Sequence, residues 1–250
     1  METVALKPTN YDSFKLTNNS KTRFHKDHDN TFSLASGPPQ HGGTCVNATQ
    51  GEGGCVGKCY DVNLRKLYKK YASAEDYNTA LVWDKSFEEQ FAIIENSIDK
   101  WLLNGGHKEP YFRIHTGGEF FNMSYTRAWT KAIEKRPEVQ FWAYTRSLFA
   151  VPLLAELSNL TLMLSCDPVN KDKVLDMYAR YADYPNIAIA WMGNSVPDDL
   201  PNDRPRLVCP EVTGKMKKLA DKGACARCRA CIDRPIKSGQ IRHIQFPIHR

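Results

Sequence analysis

Between Tyr111 and Trp191 short apolar runs alternate with amphipathic stretches, and no other feature constrains the fold as much. Tyr111 to His115, Val139 to Tyr144, Leu160 to Ser165 and Ile187 to Trp191 have the length and apolar content of buried strands. Between them lie stretches with apolar residues at helical spacing: Tyr125, Trp129 and Ile133, then Val151, Leu154 and Leu157, then Val174, Tyr178 and Tyr181. Strands separated by helices through short connections predict parallel βαβ units. Upstream, Thr31 to Leu34 reads as a short strand and Val62 to Tyr71 as one helix. Ser86 with Glu89 forms a capping box for a helix carrying Phe91, Ile94, Ile98 and Trp101, ended by Gly105-Gly106. Downstream, Gly193 to Arg206 reads as a loop and Ile241 to Phe246 as a last strand. About six strands in this order suit an open or partial barrel or a doubly wound sheet. A chain of 250 residues is long enough for one α/β barrel. Residues 1–30 read as an irregular N-terminal extension and residues 31–250 as a single domain.

The eight cysteines are the next constraint. The N-terminus carries Lys, Asn and Asp with no apolar stretch, so no secretory signal is expected there, and in a reducing compartment thiols bind metal or sit buried. Cys166 follows an apolar run and reads as buried. Cys225-Ala-Arg-Cys228-Arg-Ala-Cys231, joined by Cys209 next to Pro210, supplies four thiolates that could converge on one centre. Four thiolates suit a [4Fe–4S] cluster or a tetrahedral zinc. The triple spacing with a remote cysteine before Pro favours iron–sulfur over the paired spacing of a zinc ribbon. Lys222, Arg227 and Arg229 would offset the cluster's negative charge. Cys45, Cys55 and Cys59 form a second candidate set in a glycine-rich loop. Its Cys55-Val-Gly-Lys-Cys59 resembles part of the radical-S-adenosylmethionine signature, but Val62 occupies the third ligand position. Buried or loosely placed thiols are the alternative for this set.

Several short motifs occur in order: FSLASG at 32–37, TC at 44–45, CVGKCY at 55–60, RIHTGGEFF at 113–121, FWAYTRS at 141–147, LSCD at 164–167 and CARCRAC at 225–231. Together they resemble a family of bacteriophage proteins named after gene product 88, with relatives among radical-S-adenosylmethionine-like phage proteins. The resemblance covers roughly residues 30–250. It implies a phage or prophage origin, hence the cytoplasm of an infected bacterium, a TIM-type or partial (β/α) barrel, and an iron–sulfur centre on the C-terminal cysteine-rich loop. The family commonly carries serine-glycine-aspartate where this chain has Gly117-Gly118-Glu119.

Residues just past the C-terminal ends of barrel strands face an active-site mouth. Here these are His115 and Glu119, Tyr144 and Arg146, Ser165 and Asp167, and Trp191, with His243 in the last strand. Two carboxylates at a barrel mouth suit glycosidic bond cleavage, with Glu119 as the acid and Asp167 as nucleophile or base. Arg146 would hold one carboxylate ionised and His115 would be the fallback proton donor. Each also has a plain structural reading: His115 as a satisfied core histidine, Glu119 and Asp167 as acids at helix N-termini. The expected substrate is a carbohydrate or nucleotide sugar. One alternative is a radical-S-adenosylmethionine-like enzyme, although Cys209 would block the open iron position that chemistry needs. The other is a non-enzymatic module binding nucleic acid or a host protein, in line with the net charge of +6, although the basic residues look dispersed. The apolar runs are too short to span a membrane, so no membrane partner is expected. Oligomeric state is not legible.

Overall fold

The computed structural model describes residues 12–17, 19–233 and 242–248. Its frame is an all-parallel sheet of seven strands: β1 (Thr31–Phe32), β2 (Tyr111–Ile114), β3 (Gln140–Thr145), β4 (Leu160–Cys166), β5 (Ile187–Met192), β6 (Arg206–Val208) and β7 (His243–Phe246). The spatial order is β1-β2-β3-β4-β5-β7-β6. Among the described residues seven α-helices accompany it: α1 (Tyr60–Leu67), α2 (Lys69–Val82), α3 (Phe87–Leu103), α4 (Met123–Glu134), α5 (Val151–Leu154), α6 (Lys171–Tyr181) and α7 (Ala224–Cys228).

The expected barrel is not what forms. The sheet is open, with β1 at one edge and β6 at the other. Both edge strands are short, two and three residues, so neither offers a ladder long enough to close a ring. The seventh strand, β6, starts at the last residue of the segment read as a loop and went unread, because three residues of mixed character carry no periodicity. Ile241, where the last strand was expected to begin, lies outside the described residues, as do residues 1–11 of the expected extension.

The strand register explains why so much of the sheet is apolar. Phe112 pairs with Phe141, and Ile114 with Ala143. Leu162 and Leu164 of β4 continue the row to Ile187 and Ile189 of β5. All of these enter one core with α3, α4, α5 and α6, around the fully buried Trp129 and Tyr125. The alternate residues face the other way. On that second face lie Arg113, Trp142, Tyr144, Met163, Ala188 and Ala190. A parallel sheet needs cover on both faces, and here the second cover is the cysteine segment. Cys209, Cys228 and Cys231 pack with Met163, Ala190 and Ile244, while Cys225 packs with Phe24 and Trp142.

The N-terminal segment, read as an irregular extension, is irregular but built in. Phe14 stacks on Phe32 with ring centroids 3.8 Å apart. The Gly223 and Cys225 amides donate to the carbonyls of Arg23 (2.8 Å) and Lys21 (2.9 Å), so this segment also backs the cysteines. A Cβ at Gly223 would sit 2.2 Å from the Lys21 oxygen, which is why glycine stands there. The expected single helix over Val62 to Tyr71 is two. Tyr68 is extended (φ −118, ψ 91), and Arg65 reaches across the bend to Glu75 and Asp76. The Ser86–Glu89 capping box forms as read, with both reciprocal hydrogen bonds present.

Candidate functional site

The strand ends carry the residues expected to do chemistry, and the structure shows what each one touches. Glu119 follows β2 in the segment His115-Thr116-Gly117-Gly118-Glu119. One carboxylate oxygen accepts from the Thr145 hydroxyl (2.7 Å) and from the amides of Arg146 (2.6 Å) and Ser147 (2.7 Å). Its own amide donates to Thr44 Oγ1 (3.0 Å), beside Cys45. Burial pushes the Glu119 carboxyl up, and these donors partly oppose the shift. Asp167 follows β4. Its Oδ2 accepts from Arg146 Nη1 (2.6 Å) and from Thr49 Oγ1 (2.5 Å), and its Oδ1 caps the turn into α6 through the Val169 amide (2.9 Å). Thr49 Oγ1 in turn accepts the Cys55 amide (2.8 Å). Arg146 therefore links the two carboxylates, through its backbone to Glu119 and through its guanidinium to Asp167.

Asp167 thus serves the N-terminal cysteine loop through its carboxylate, whereas Glu119 reaches that loop through its backbone amide. The relay Arg146–Asp167–Thr49 ends on Cys55, and Glu119 fixes Thr44 and lies close enough to Cys45 to disfavour its thiolate. His115 is a core residue. Its Nε2 meets the Tyr125 hydroxyl (3.0 Å), its ring stands edge-on to Phe120, and its Nδ1 has no partner. Burial, helped by the Arg113 charge, pulls its pKa down to about 3, so the ring is neutral. It holds a positive φ of 58°, a strained conformation for a non-glycine residue that turns the chain toward Gly117. His243 is also taken up internally, accepting the Ile189 amide at Nδ1 (3.1 Å) and facing Asp203 with Nε2. Trp191 donates its indole N–H to the Ser195 carbonyl (2.7 Å).

The two cysteine sets differ in their neighbours. Burial raises the thiols of Cys45 and Cys59; Cys59 and Cys55 lie close enough to Cys45, and Cys55 close enough to Cys59, to add to the rise. Gly37 N–H points at Cys45 Sγ (3.4 Å), and Glu119 and Asp61 add negative charge nearby. The C-terminal thiols of Cys209, Cys225, Cys228 and Cys231 also interact with one another. Beside them stands a cation. Arg113 lies with its Cζ 5.0 Å from the Tyr144 ring centroid and close to Cys225 and Cys231. Its Nε is buried without a hydrogen-bond partner, and among the described residues its guanidinium has no carboxylate. Tyr144 hydrogen-bonds Cys231. Among the described residues, no three His, Cys, Asp or Glu side chains stand gathered into a ligand sphere. The C-terminal thiols are neighbours rather than a closed cage.

One cluster escaped the sequence reading. Asp61 and Glu75, from α1 and α2, are buried side by side against Gly117, where a Cβ would lie 2.1 Å from Asp61 Oδ2 and 2.7 Å from Glu75 Oε1. Tyr71 donates to Asp61 (2.5 Å) and Arg65 to Glu75 (2.7 Å). The two oxygens facing Gly117 lack a donor. Burial raises both carboxyls, Glu75 to about 8, so one proton held between them satisfies both. The only available signal was the Gly117-Gly118 pair, which marks a close approach of backbone to something.

The profile of the family described as Gene product 88 matches residues 6–234, a range that contains all eight cysteines. The Gene 88 protein of Mycobacterium phage L5 is 32% identical over 209 residues, covering 82% of this chain and 83% of that one. The Gene 88 protein of Mycobacterium phage D29 is 32% identical over 210 residues, with the same coverage. Neither name states a reaction or a cofactor, so the radical-S-adenosylmethionine side of the resemblance gains nothing from them. No solved structure matches the chain. Among the described residues no helix is long and apolar enough to cross a membrane.

Proposed function

Since the chain belongs to the Gene product 88 family, whose members' names point to no chemistry, we propose from its own geometry that it is a metal-centred protein, with Cys209, Cys225, Cys228 and Cys231 holding one iron–sulfur cluster. The observation that carries this reading is Arg113. A buried guanidinium with no carboxylate is costly, and the ionisable groups around it are the phenols of Tyr60 and Tyr144 and, after them, the sulfurs of Cys225 and Cys231; of these the thiols are the more acidic. A centre with four thiolate ligands is an anion and supplies the missing counter-charge. Tyr144 adds a hydroxyl donor to Cys231, the kind of hydrogen bond that tunes such a centre. The apolar wall of Met163, Ala188, Ala190 and Ile244 gives the sulfurs a low-dielectric backing. Bound there with four protein thiolates, the group supplies one-electron transfer or a structural staple rather than an open coordination site.

Anaerobic purification followed by iron, sulfide and zinc analysis tests the reading. About four irons with matching sulfide are expected. Stoichiometric zinc without sulfide replaces the cluster by a zinc centre, and protein free of both metals ends the proposal.

Glycosidic hydrolysis at the strand ends is the second reading. In its favour, Arg146 ties Glu119 and Asp167 together and burial raises Glu119 as an acid catalyst requires. Against it, the bonded oxygens of both carboxylates are occupied by protein donors. Two small cavities, one beside Trp191 and His243 and one beside Phe24 and Trp101, hold about 10 Å³ each, and neither borders the carboxylates. Turnover of aryl glycosides that Glu119→Gln abolishes, with the fold intact, would move this reading to first place.

A further inference from the structure

The basic residues are not dispersed in space. Residues 56–70 carry a net charge of +4 and residues 213–229 a net charge of +5, so the rest of the chain is net −3 against an overall +6. Each of these segments adjoins a cysteine set. They meet at Arg113, which neighbours Tyr60 on one side and Cys225 and Cys231 on the other.

Among the described residues, most lysines of these segments stand without a carboxylate, as do Lys26, Lys108 and Lys173 elsewhere, while Lys222 sits on Glu109 (2.8 Å). Lys85, Lys135 and Lys171 sit on Glu89, Glu95 and Asp199. Among the described residues, Lys58, Lys66, Lys69, Lys70, Lys215 and Lys217 have no carboxylate partner. Lys69 and Lys70 open α2, which has no acid in its first turn, so two cations stand at the positive end of a helix. That placement costs stability unless an anion relieves it.

Aromatic and apolar side chains are exposed among these charges. Leu67 is 73% exposed, Tyr68 59% and Tyr60 53%, and residues 66–70 are exposed without a break. The Tyr60 hydroxyl is anchored on the Thr116 carbonyl (2.6 Å), so its ring is held in place rather than free to turn away. One anchored and one exposed aromatic face interleaved with unpaired lysines match one partner chemistry well: a phosphodiester chain whose bases are free to stack. A duplex hides its base faces. A membrane surface would call for a continuous apolar stripe, whereas lysines interrupt this one and the inward side of α1, Val62 and Leu64, is half-buried in the fold.

We propose that the surface formed by residues 56–70, extended past Arg113 by the Lys215–Arg227 segment, binds single-stranded nucleic acid, with Tyr60 and Tyr68 as stacking faces and the unpaired lysines on phosphates. This does not depend on the metal-centre reading.

The test is fluorescence anisotropy with the full chain and labelled oligo(dT), oligo(U), a mixed-sequence duplex, and vesicles of phosphatidylcholine and phosphatidylserine. Both single strands are expected to bind, with affinity falling as salt rises. The triple variant Lys66→Glu, Lys69→Glu, Lys70→Glu should weaken binding at least tenfold and flatten the log–log salt slope by about 2, at roughly 0.7 for each phosphate no longer neutralised. Tyr68→Ala should weaken single-strand binding roughly tenfold. The control Lys85→Glu, Lys135→Glu removes paired lysines outside the patch and should leave binding within about twofold. All these side chains are exposed or half-buried, and circular dichroism confirms the fold of each variant. Failure to bind single strands at low salt overturns the proposal, as does unchanged binding by the triple variant. Tighter binding to duplex than to single strand, or binding to the vesicles alone, also overturns it.

Discussion

The chain holds two sets of cysteines, and the same side chain meets opposite surroundings in each. Around Cys45, Cys55 and Cys59 the neighbours are acids: Glu119 beside Cys45 and Asp61 beside Cys59. The loop is held by hydrogen bonds to its backbone, with Thr44 on the Glu119 amide and Thr49 between Asp167 and the Cys55 amide. The thiols act only as acceptors there, Cys45 for the Gly37 amide and Cys59 for the amides of Asp61 and Val62. Around Cys209, Cys225, Cys228 and Cys231 the charges are the unpaired Arg113, beside Cys225 and Cys231, and Glu211, beside Cys209 and Cys225, which Lys21 pairs at 3.0 Å; the backing is apolar. A set of thiolates gains from a cation and loses from carboxylates, by an amount that grows as water is excluded. Spacing alone made both sets metal candidates. Their electrostatic settings separate them, favouring an anionic centre at the second and protonated thiols at the first.

The largest effect should come from cutting the second set. Cys228→Ser is expected to lose the metal and to lower the melting temperature sharply, because binding free energy is then part of folding free energy. Arg113→Met sharpens the same point by sign. In metal-loaded protein it should destabilise, by removing the counter-charge. In protein stripped of metal it should stabilise, by removing a buried charge without a carboxylate. Thermal melts of both forms read this directly, and the same sign in both forms would show that Arg113 is not paired to a centre.

Next in size is the relay that holds the first set. Asp167→Asn leaves the buried Arg146 guanidinium without its anion and should cost about 3 kcal/mol in urea denaturation. Metal content should stay unchanged, since no atom of the relay touches the C-terminal cysteines. Metal loss in this variant would mean that the two regions are coupled and that their contrast is not local.

How much of this was legible in the sequence differs between the same two regions. The helical face was readable because Phe112, Ile114, Leu162 and Ile189 sit in strands whose period and length are set by burial. The open sheet was not, because closure depends on edge strands of two and three residues that carry no pattern. At the site, Glu119, Arg146 and Asp167 were correctly placed together at the strand ends. Their roles were not readable, because Thr44, Thr49 and Cys55, which take up their hydrogen bonds, come from a loop far away in sequence. Arg113 went unnoticed because a lone arginine inside an apolar strand looks like any outward-facing residue. Nothing in the sequence showed that a cysteine segment would cover that face. The Asp61–Glu75 pair was hidden by a bend at Tyr68 where one helix was expected.

A smaller effect is expected from that pair, which buttresses the loop of the first set through Gly117. The Glu75 carboxyl is raised to about 8 by burial and by Asp61, from 4.5. Folding therefore takes up a proton, and the stability this contributes is complete below about pH 4.5 and is lost as pH rises toward 8. Melting temperature should fall across that window in the wild type. Glu75→Gln should flatten the decline, so the variant gains on the wild type at pH 8 to 9 by an amount on the order of 1–2 kcal/mol. A wild-type profile that is flat from pH 5 to 9 would show that the two carboxyls do not share a proton.

The smallest expected effect belongs to the first set itself. Cys45 accepts one weak contact, from the Gly37 amide at 3.4 Å, and Glu119 sits close enough to oppose its ionisation. Serine is nearly isosteric and accepts the same amide at least as well. Cys45→Ser should therefore change stability by less than about 1 kcal/mol, the scale of one hydrogen bond exchanged for another. Iron and sulfide per chain should match the wild type. The measurement is informative because it can fail in one direction only. If Cys45 were a ligand, replacing it would release metal and cost as much as Cys228→Ser does. Glu119 and Asp61 would then stand beside an anionic centre, and neighbouring charge could no longer distinguish the two sets. Equal losses from the two substitutions would leave cysteine spacing as the only guide to where metal binds in this chain.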